Sequence, residues 1–178
     1  YSLTCIDPAS LQAQKFLLTN SIDVIINVID ASLLSRSLEL TLQVLELGLP
    51  TILCLNMMDE AERKGIKINV KKLEEIFGFP FIPTIANRGR GVVELFTAAF
   101  KVFEEGVKPK PLKYRKHIES RISKLEEAIP QDLTRPLKAS RRFLALKLIQ
   151  GDPYVSSRVR MAAPELLKQA ELLRVELE

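Results

Sequence analysis

The feature that most constrains the fold is a pair of short apolar runs separated by a helix-like segment. The runs are "DVIINVID" at 23–30 and "TILCL" at 51–55, and both are rich in apolar and β-branched residues. That pattern is typical of strands covered on both faces in a parallel sheet. The segment 35–47 has apolar residues at helical spacing and is followed by Gly48 and Pro50, a usual pair after a helix. Its apolar stripe consists of Leu38, Leu42, Val44 and Leu45. Strand, helix and strand in this order predict a βαβ crossover.

The same alternation continues on both sides of this unit. Asp7-Pro8 predicts the start of a helix that runs to about Leu18, because Asp can cap a helix and Pro suits its first position. Residues 70–77 predict a short helix closed by Gly78, 79–84 a third strand, and 92–105 a further helix. The first 106 residues therefore indicate an α/β fold, a parallel sheet with flanking helices.

The composition changes at "GVKPKPLK", residues 106–113, which predicts a linker. No strand pattern follows it, and we expect about three helices. The first has apolar residues at helical spacing, namely Ile118, Ile122, Leu125 and Ile129. The second covers 141–150 and is ended by Gly151-Asp152-Pro153. The last starts at Pro164, and its inward residues would be Leu166, Leu167, Leu172 and Leu173. We predict two domains, 1–106 and 107–178, the second a small all-helical domain.

The charge is divided unequally between these two parts. Residues 1–106 hold 10 Lys+Arg and 13 Asp+Glu, whereas residues 107–178 hold 16 and 9, so the second part has a net charge of +7. A basic surface can serve nucleic acid, an anionic membrane or an acidic partner, or it can be a solvated helical surface. The absence of Trp and the 6% aromatic content count against a nucleic-acid partner.

Composition and motif searches exclude several other classes of protein. The two cysteines, Cys5 and Cys54, are too few for a disulfide framework and lack metal-ligand spacing. The sequence has no apolar run of 18 residues, so we expect no membrane span in it. His117 is the single histidine and has no nucleophile at motif spacing, so we expect a surface residue, no metal site and no hydrolase triad.

Polar residues follow two of the predicted strands at the point where each strand ends. Asn56 and Asp59 come after "TILCL", and Ala86 and Asn87 come after "FIPT". Because ligands bind outside the carboxyl ends of parallel strands, both loops are expected at one rim. One carboxylate can accept two parallel N–H donors of guanine, the ring N–H and the exocyclic amine, which adenine does not offer. Asn56 could brace the loop and bind the base edge, and the Ala86 N–H could donate to the guanine carbonyl.

A purely structural interpretation of these residues stays open. Asp59 to Glu62 also reads as a capping box, with Asp59 as the cap and Glu62 reaching back. Met57 and Met58 would then fill the core rather than pack under a base. Arg88 and Arg90 fit either a phosphate contact or an exposed turn, and Asp30 is first of all a cap. On this interpretation the chain is a non-catalytic interaction module whose basic helical half binds a partner or a membrane surface.

A family resemblance favours the first interpretation. The run from "NVIDASLL" to "VKKLEE", Asn27 to Glu75, resembles the cytosolic GTP-binding domain of FeoB, the bacterial ferrous iron transport protein B. "YSLT" at 1–4 is similar to the residues that follow that family's D-x-P-G motif, and "RRFLALKLIQGD" at 141–152 resembles a segment of its helical domain. The resemblance implies a partial Ras-like P-loop GTPase fold followed by the helical domain, proposed to modulate nucleotide affinity.

The resemblance also implies a site, ligands and a location. The nucleotide-binding residues would be Asn56, Met57, Met58, Asp59, Thr84, Ile85, Ala86 and Asn87. The ligands would be GTP or GDP, with Mg²⁺ in the intact protein, which would hydrolyse GTP slowly to control Fe²⁺ uptake. The partners would be the protein's own transmembrane Fe²⁺-transport domain, at the cytoplasmic face of the bacterial inner membrane, and a homo-oligomer is allowed.

The sequence departs from the family pattern in two places. The base-contacting loop usually reads Ser-Ala, whereas this chain has Ile85-Ala86, so any hydroxyl contribution from the serine is lost. No G-x-x-x-x-G-K-[ST] motif occurs, and the switch threonine and D-x-P-G motif are expected upstream of Tyr1. We therefore expect a piece of a longer protein, without catalytic or metal-binding residues of its own and unable to hydrolyse GTP alone.

Overall fold

The computed structural model describes residues 8–175, without the side chains of residues 8–10, 39 and 40. The chain forms two compact units. The α/β unit comprises Ile22–Pro111, and the helical unit comprises residues 8–21 together with 112–175. The first helix therefore packs with the helical unit, although it precedes the sheet in the sequence. The predicted division at residues 106 and 107 stays a prediction.

The α/β unit confirms the predicted parallel sheet flanked by helices. Its strands are β1 (Ile25–Asp30), β2 (Thr51–Asn56) and β3 (Phe81–Pro83). They pair in the order β1-β2-β3, all parallel, with Asp30 opposite Asn56 and Leu55 opposite Pro83. The helices are α2 (Leu34–Leu45), α3 (Met58–Arg63), α4 (Val70–Phe77) and α5 (Val92–Glu105).

The two faces of the sheet are covered unequally. On one face, Leu95 and Ala99 of α5 pack against Ile52 and Cys54 of β2. On the other face of β1, Asn27 is buried and its amide donates to Thr41 Oγ1 of α2 at 2.9 Å. Among the described residues β1 has a neighbour on one edge only.

The prediction that β1 is buried on both faces is wrong at one position. Val28 lies opposite Cys54 in the register, on the face that α5 covers over β2, yet it is 59% exposed. Within the described part of the chain, no helix extends far enough to cover it. The prediction of full burial is confirmed for β2, where 51–55 are all buried. Leu42, expected in the apolar stripe of α2, is 38% exposed.

The helical unit contains more helices than expected. It consists of α1 (Pro8–Thr19), α6 (Lys116–Ala128), α7 (Gln131–Thr134), α8 (Arg141–Ile149), α9 (Pro153–Ala162) and α10 (Pro164–Val175). Of these, α7 and α9 are absent from the prediction, and the expected cap Asp7 of α1 lies outside the described residues. The Gly-Asp-Pro at 151–153, predicted to end the preceding helix, also begins α9. Pro153 occupies the first turn, and Asp152 Oδ1 accepts the Val155 N–H at 2.9 Å.

The centre of the helical unit is α8, whose residues Phe143–Ile149 are all buried. One of them is Lys147, which is fully buried, and its Nζ has no hydrogen-bond partner among the described residues. Leu166 of α10 is buried as expected. The prediction that Leu172 points inward is wrong, because that side chain is 68% exposed.

Candidate functional site

The candidate site lies where β2 and β3 end, and three hydrogen bonds join its two loops. The side-chain oxygen Oδ1 of Asn56 accepts the Ala86 N–H at 3.0 Å and the Thr84 hydroxyl at 3.2 Å. The Met58 N–H donates to the Thr84 carbonyl at 3.2 Å. Because parallel β2 and β3 end side by side, the expectation that both loops share one rim is confirmed.

Thr84 has a structural role that its place in the sequence did not reveal. The residue is buried, and its N–H donates to the Leu55 carbonyl at 2.8 Å, which continues the strand pairing beyond Pro83. Its hydroxyl contacts Cys54 Sγ at 3.1 Å as well as Asn56. A hydroxyl residue directly after an apolar strand was the one available signal for this link. Cys54 itself is buried and free.

The turn between Asn56 and Asp59 has an uncommon backbone conformation. Met57 has φ of 61° and ψ of 39°, in the left-handed region, and directly precedes α3. A residue other than glycine in this region carries backbone strain and is found more often at functional sites. Met57 is 48% exposed, so filling of the core does not explain its position.

Asp59 is not the helix cap that the capping-box interpretation requires. The helix α3 starts at Met58, so Asp59 lies in its first turn, and its Oδ1 accepts the N–H of the adjacent Glu60 at 3.0 Å. Its other oxygen, Oδ2, lies 3.9 Å from Arg88, which is a long and exposed ion pair. An exposed ion pair of this kind contributes little to stability. The carboxylate therefore retains acceptor capacity at the rim.

Ile85 and Asn87 occupy different environments in the second loop. Ile85 is buried, and its backbone pairs with Arg90 through N–H to carbonyl bonds of 3.0 and 3.3 Å, which close a tight turn. Ile85 is therefore held in place by the packing of its side chain as well as by its backbone hydrogen bonds. Asn87 and Arg88 are exposed in a short 3₁₀ turn at 86–88.

One expected contact is arranged differently from the prediction. The Ala86 N–H, expected to donate to a guanine carbonyl, donates to Asn56 instead. Because this donor needs an oxygen, the Asn56 side chain turns its Nδ2 amine away from Ala86. That amine has no hydrogen bond with any described residue. The Nδ2 group of Asn56 is thus the donor that remains available to bind the edge of a base.

Glycine is required where the second loop meets α5. Gly91 has φ of +77°, and a Cβ there would collide with the carbonyl of Pro83. A cavity of about 440 Å³ lies beside this contact, lined by Met58, Thr84 and Arg90 among others, but not by Asn56 or Asp59. The described residues contain no group of His, Cys, Asp or Glu suited to a metal ion. Residues 8–175 also contain no helix that is long and apolar enough to cross a membrane.

The comparison with protein-family models decides the family. Residues 1–99 match the model of ferrous iron transport protein B, and residues 114–178 match that of the FeoB cytosolic helical domain. The chain belongs to the ferrous iron transport protein B family. The resemblance seen in the sequence is thereby confirmed.

Individual FeoB proteins agree with this assignment. The Fe(2+) transporter FeoB of Escherichia coli is 37% identical over 182 residues, covering 100% of this chain and 23% of that protein. The chain therefore spans under a quarter of that relative's length. The FeoB G-domain of S. thermophilus, in a mutant form bound to GDP, has a TM-score of 0.84 at 31% identity, and the match covers 100% of this chain and 67% of that one. The mGMPPNP-bound NFeoB of S. thermophilus has a TM-score of 0.82 at 31% identity, with 98% and 64% covered. The α/β fold with its appended helical domain is thus the FeoB fold.

Proposed function

We propose that the α/β unit binds the guanine base of GTP or GDP through Asn56 and Asp59. The observation that carries this proposal is the Asn56 side chain, which joins both loops through one oxygen and leaves its Nδ2 group without a partner among the described residues. The crystal structures of similar FeoB domains with GDP or mGMPPNP support the choice of ligand. Met57, Met58, Thr84, Ile85, Ala86 and Asn87 shape and hold the two loops.

The two side chains would divide the recognition of the base. Asp59 accepts the ring N–H and the exocyclic amine of guanine as a charge-assisted bidentate pair. The Asn56 amine donates to an acceptor on the opposite edge of the base. Adenine lacks the paired donors, so Asp59 would face it without partners, and sites of this kind discriminate strongly.

Neither the sequence motifs nor the described residues offer a site for the phosphates or for Mg²⁺. The sequence contains no G-x-x-x-x-G-K-[ST] motif, and the described part has no cluster of metal ligands. We therefore propose that these 178 residues do not hydrolyse GTP alone. The apolar surface at Val28 and along α5 supports the view that further chain completes this unit in the whole protein.

In the whole protein, we propose that this region is the regulatory part of a ferrous iron transporter. It would lie at the cytoplasmic face of the bacterial inner membrane, bind and slowly hydrolyse GTP with Mg²⁺, and act on its own transmembrane Fe²⁺-transport domain. The names of the relatives support this placement. A homo-oligomer stays a prediction.

Base recognition can be tested without the phosphate site. We would titrate the chain with GMP, AMP and XMP and follow the amide signals of the two loops by NMR. Millimolar affinity for GMP and none for AMP are expected, because only the base would be held. Asp59→Asn should reverse the preference toward XMP by about tenfold, since xanthine has a carbonyl where guanine has the amine.

The matched control is Glu62→Gln, which removes the same charge from the exposed face of the same helix. It should leave GMP binding unchanged. Equal binding of GMP and AMP, or an Asp59→Asn variant that still prefers GMP, would remove Asp59 from the role proposed for it. Mg²⁺-dependent phosphate release from GTP by the purified chain would overturn the proposed inactivity.

A further inference from the structure

The helical unit has a cavity of about 320 Å³ that the nucleotide proposal does not involve. It lies between α9, α10 and the end of α8, and its polar lining consists of Ser156, Ser157, Arg160, Glu171 and Arg174. Its size is at the lower end of the range for small-molecule sites. A phosphate group with a short alcohol attached fits such a volume.

The two arginines at this cavity are exposed, and Glu171 is the one acidic side chain among the described residues that lines the cavity with them. Neither Arg160 nor Arg174 has a hydrogen bond or an ion pair with any residue that the structure describes. Arg142, in the same unit, is by contrast held by both carboxylate oxygens of Glu119 at 2.8 and 3.0 Å. A guanidinium without a partner offers a fork of N–H donors that matches a phosphate.

The guanidinium of Arg174 lies close to the backbone of Gly151. Gly151 has φ of +71°, and a Cβ there would collide with the guanidinium of Arg174. The side chain therefore lies over the turn between α8 and α9 rather than extending along α10. Any larger residue at 151 would be strained and would displace this guanidinium.

The remaining polar groups define what kind of anion fits. The Ser156 hydroxyl has no hydrogen bond with a described residue, so it can donate to a phosphate oxygen, whereas the Ser157 hydroxyl donates to the Tyr154 carbonyl at 2.8 Å. The amides of Val155 and Ser156 are already bonded to Asp152. Side chains, and not the start of the helix, would thus hold the anion. Glu171 faces the same cavity without an ion pair to a described residue and can accept from a hydroxyl on the ligand.

We propose that this cavity binds a phosphate ester whose alcohol carries a hydroxyl group, the chemistry of glycerol phosphate. Arg160, Arg174 and Ser156 would hold the phosphate, and Glu171 would accept from the hydroxyl. Soluble glycerol phosphate and a phosphatidylglycerol headgroup share this chemistry. The net positive charge of residues 107–178 raises the local concentration of either anion.

The first test uses sn-glycerol 3-phosphate and inorganic phosphate as probes, titrated into the 178-residue chain by calorimetry at low salt. The Arg160→Gln/Arg174→Gln variant should bind glycerol phosphate at least about tenfold more weakly, because each lost charged hydrogen bond is of that order. The matched control is Arg115→Gln/Arg135→Gln, two exposed arginines of the same unit that do not line the cavity. It should bind like the unchanged chain. Glu171→Gln should weaken glycerol phosphate more than inorganic phosphate.

The second test distinguishes the two sources of the ligand. Flotation uses vesicles of phosphatidylglycerol and phosphatidylcholine. If a lipid headgroup enters the cavity, the vesicles should retain the control variant Arg115→Gln/Arg135→Gln more strongly than Arg160→Gln/Arg174→Gln. Binding of soluble glycerol phosphate with equal retention of both variants would assign the site to a soluble ester. No binding of glycerol phosphate, or equal loss in both double variants, would overturn the proposal. GMP binding in the α/β unit should be unchanged in every variant, so failure of this site is separate from failure of the guanine site.

Discussion

The two units of this chain differ in how completely they bury their apolar residues. In the helical unit, α8 is enclosed, and Phe143, Leu144 and Ala145 are fully buried. In the α/β unit, Val93, Phe96, Phe100 and Phe103 of α5 are exposed in a row, and Phe96 and Phe100 are 62% and 60% exposed. Val28 is exposed on the same face of the sheet. The helical unit has a closed core among the described residues, whereas the α/β unit has an apolar face that further protein could cover.

The largest expected contrast comes from removing one phenyl ring in each unit. Phe143→Ala should lower the free energy of unfolding by about 3–5 kcal/mol, because it leaves a cavity in a packed core. Phe100→Ala should change it by less than about 0.5 kcal/mol, because the ring is mostly in water. Urea denaturation followed by circular dichroism measures both. A large loss for Phe100→Ala would mean that the α5 face is covered in solution, for instance by a second copy.

Lys147 is a polar side chain in the closed core, and its Nζ has no hydrogen-bond partner among the described residues. Lys147→Met should raise the free energy of unfolding by about 1–3 kcal/mol, because it removes a buried ammonium without a hydrogen-bond partner and keeps most of the volume. Thermal unfolding at matched pH shows whether the substitution raises or lowers the stability of the protein. The exposed Lys116→Met is the control and should have little effect. Destabilisation by Lys147→Met would show that the ammonium is satisfied in solution, by water or an ion.

Hydrogen bonds hold together the two loops at the rim of the α/β unit. The conformation of these loops should therefore depend on the side-chain amide of Asn56. Asn56→Ala should destabilise the two loops by about 1–2 kcal/mol, because Thr84 and Ala86 lose their shared acceptor. Hydrogen exchange of the Ala86 amide should accelerate by about tenfold, since about 1.4 kcal/mol corresponds to that factor. Asn87→Ala, in the same loop but exposed, serves as the comparison and should leave exchange unchanged. Unaltered exchange in Asn56→Ala would mean that apolar packing alone orders the loops.

The smallest expected effect concerns the strained turn at Met57. Met57→Gly should be neutral or stabilising by up to about 1 kcal/mol, because glycine adopts the left-handed conformation without steric cost. Met57→Val should destabilise by about 1 kcal/mol or more, since a β-branched residue tolerates that conformation poorly. Denaturation midpoints of the pair measure the difference. Equal midpoints would indicate that the turn relaxes in solution.

Local sequence signals predicted the elements that local physics controls. The helices at Val70–Phe77 and Val92–Glu105 were predicted with their observed limits. Apolar spacing and a glycine directly after the last turn are short-range features, so they can be read from a few residues. The parallel arrangement of β1 and β2 followed equally directly, because a single helix between two neighbouring strands returns the chain to the edge where the first strand began.

Errors arose where one residue pattern serves two structural roles. The Gly-Asp-Pro at 151–153 both ends α8 and starts α9, and only the end was recognised. Asp59 fits a capping box in sequence, yet α3 starts at Met58, directly after the left-handed Met57 and two residues earlier than a cap at Asp59 would place it. Val28 and Leu172 would be buried only if another helix or strand packed over them. The apolar character of these two residues does not show whether such a neighbour is present.

Residue order alone is enough to assign the family, the α/β and helical character of the two parts, and the position of Asn56, Asp59 and Ala86 after the strands. These properties depend on residue type, spacing and short-range capping. The tertiary structure decided that Asn56 bonds to Thr84 and Ala86, that α1 joins the helical unit, and that Arg160 and Arg174 meet at one cavity. Each of these brings together residues that are distant in the chain or on different helices, and only packing in three dimensions fixes which side chains come into contact.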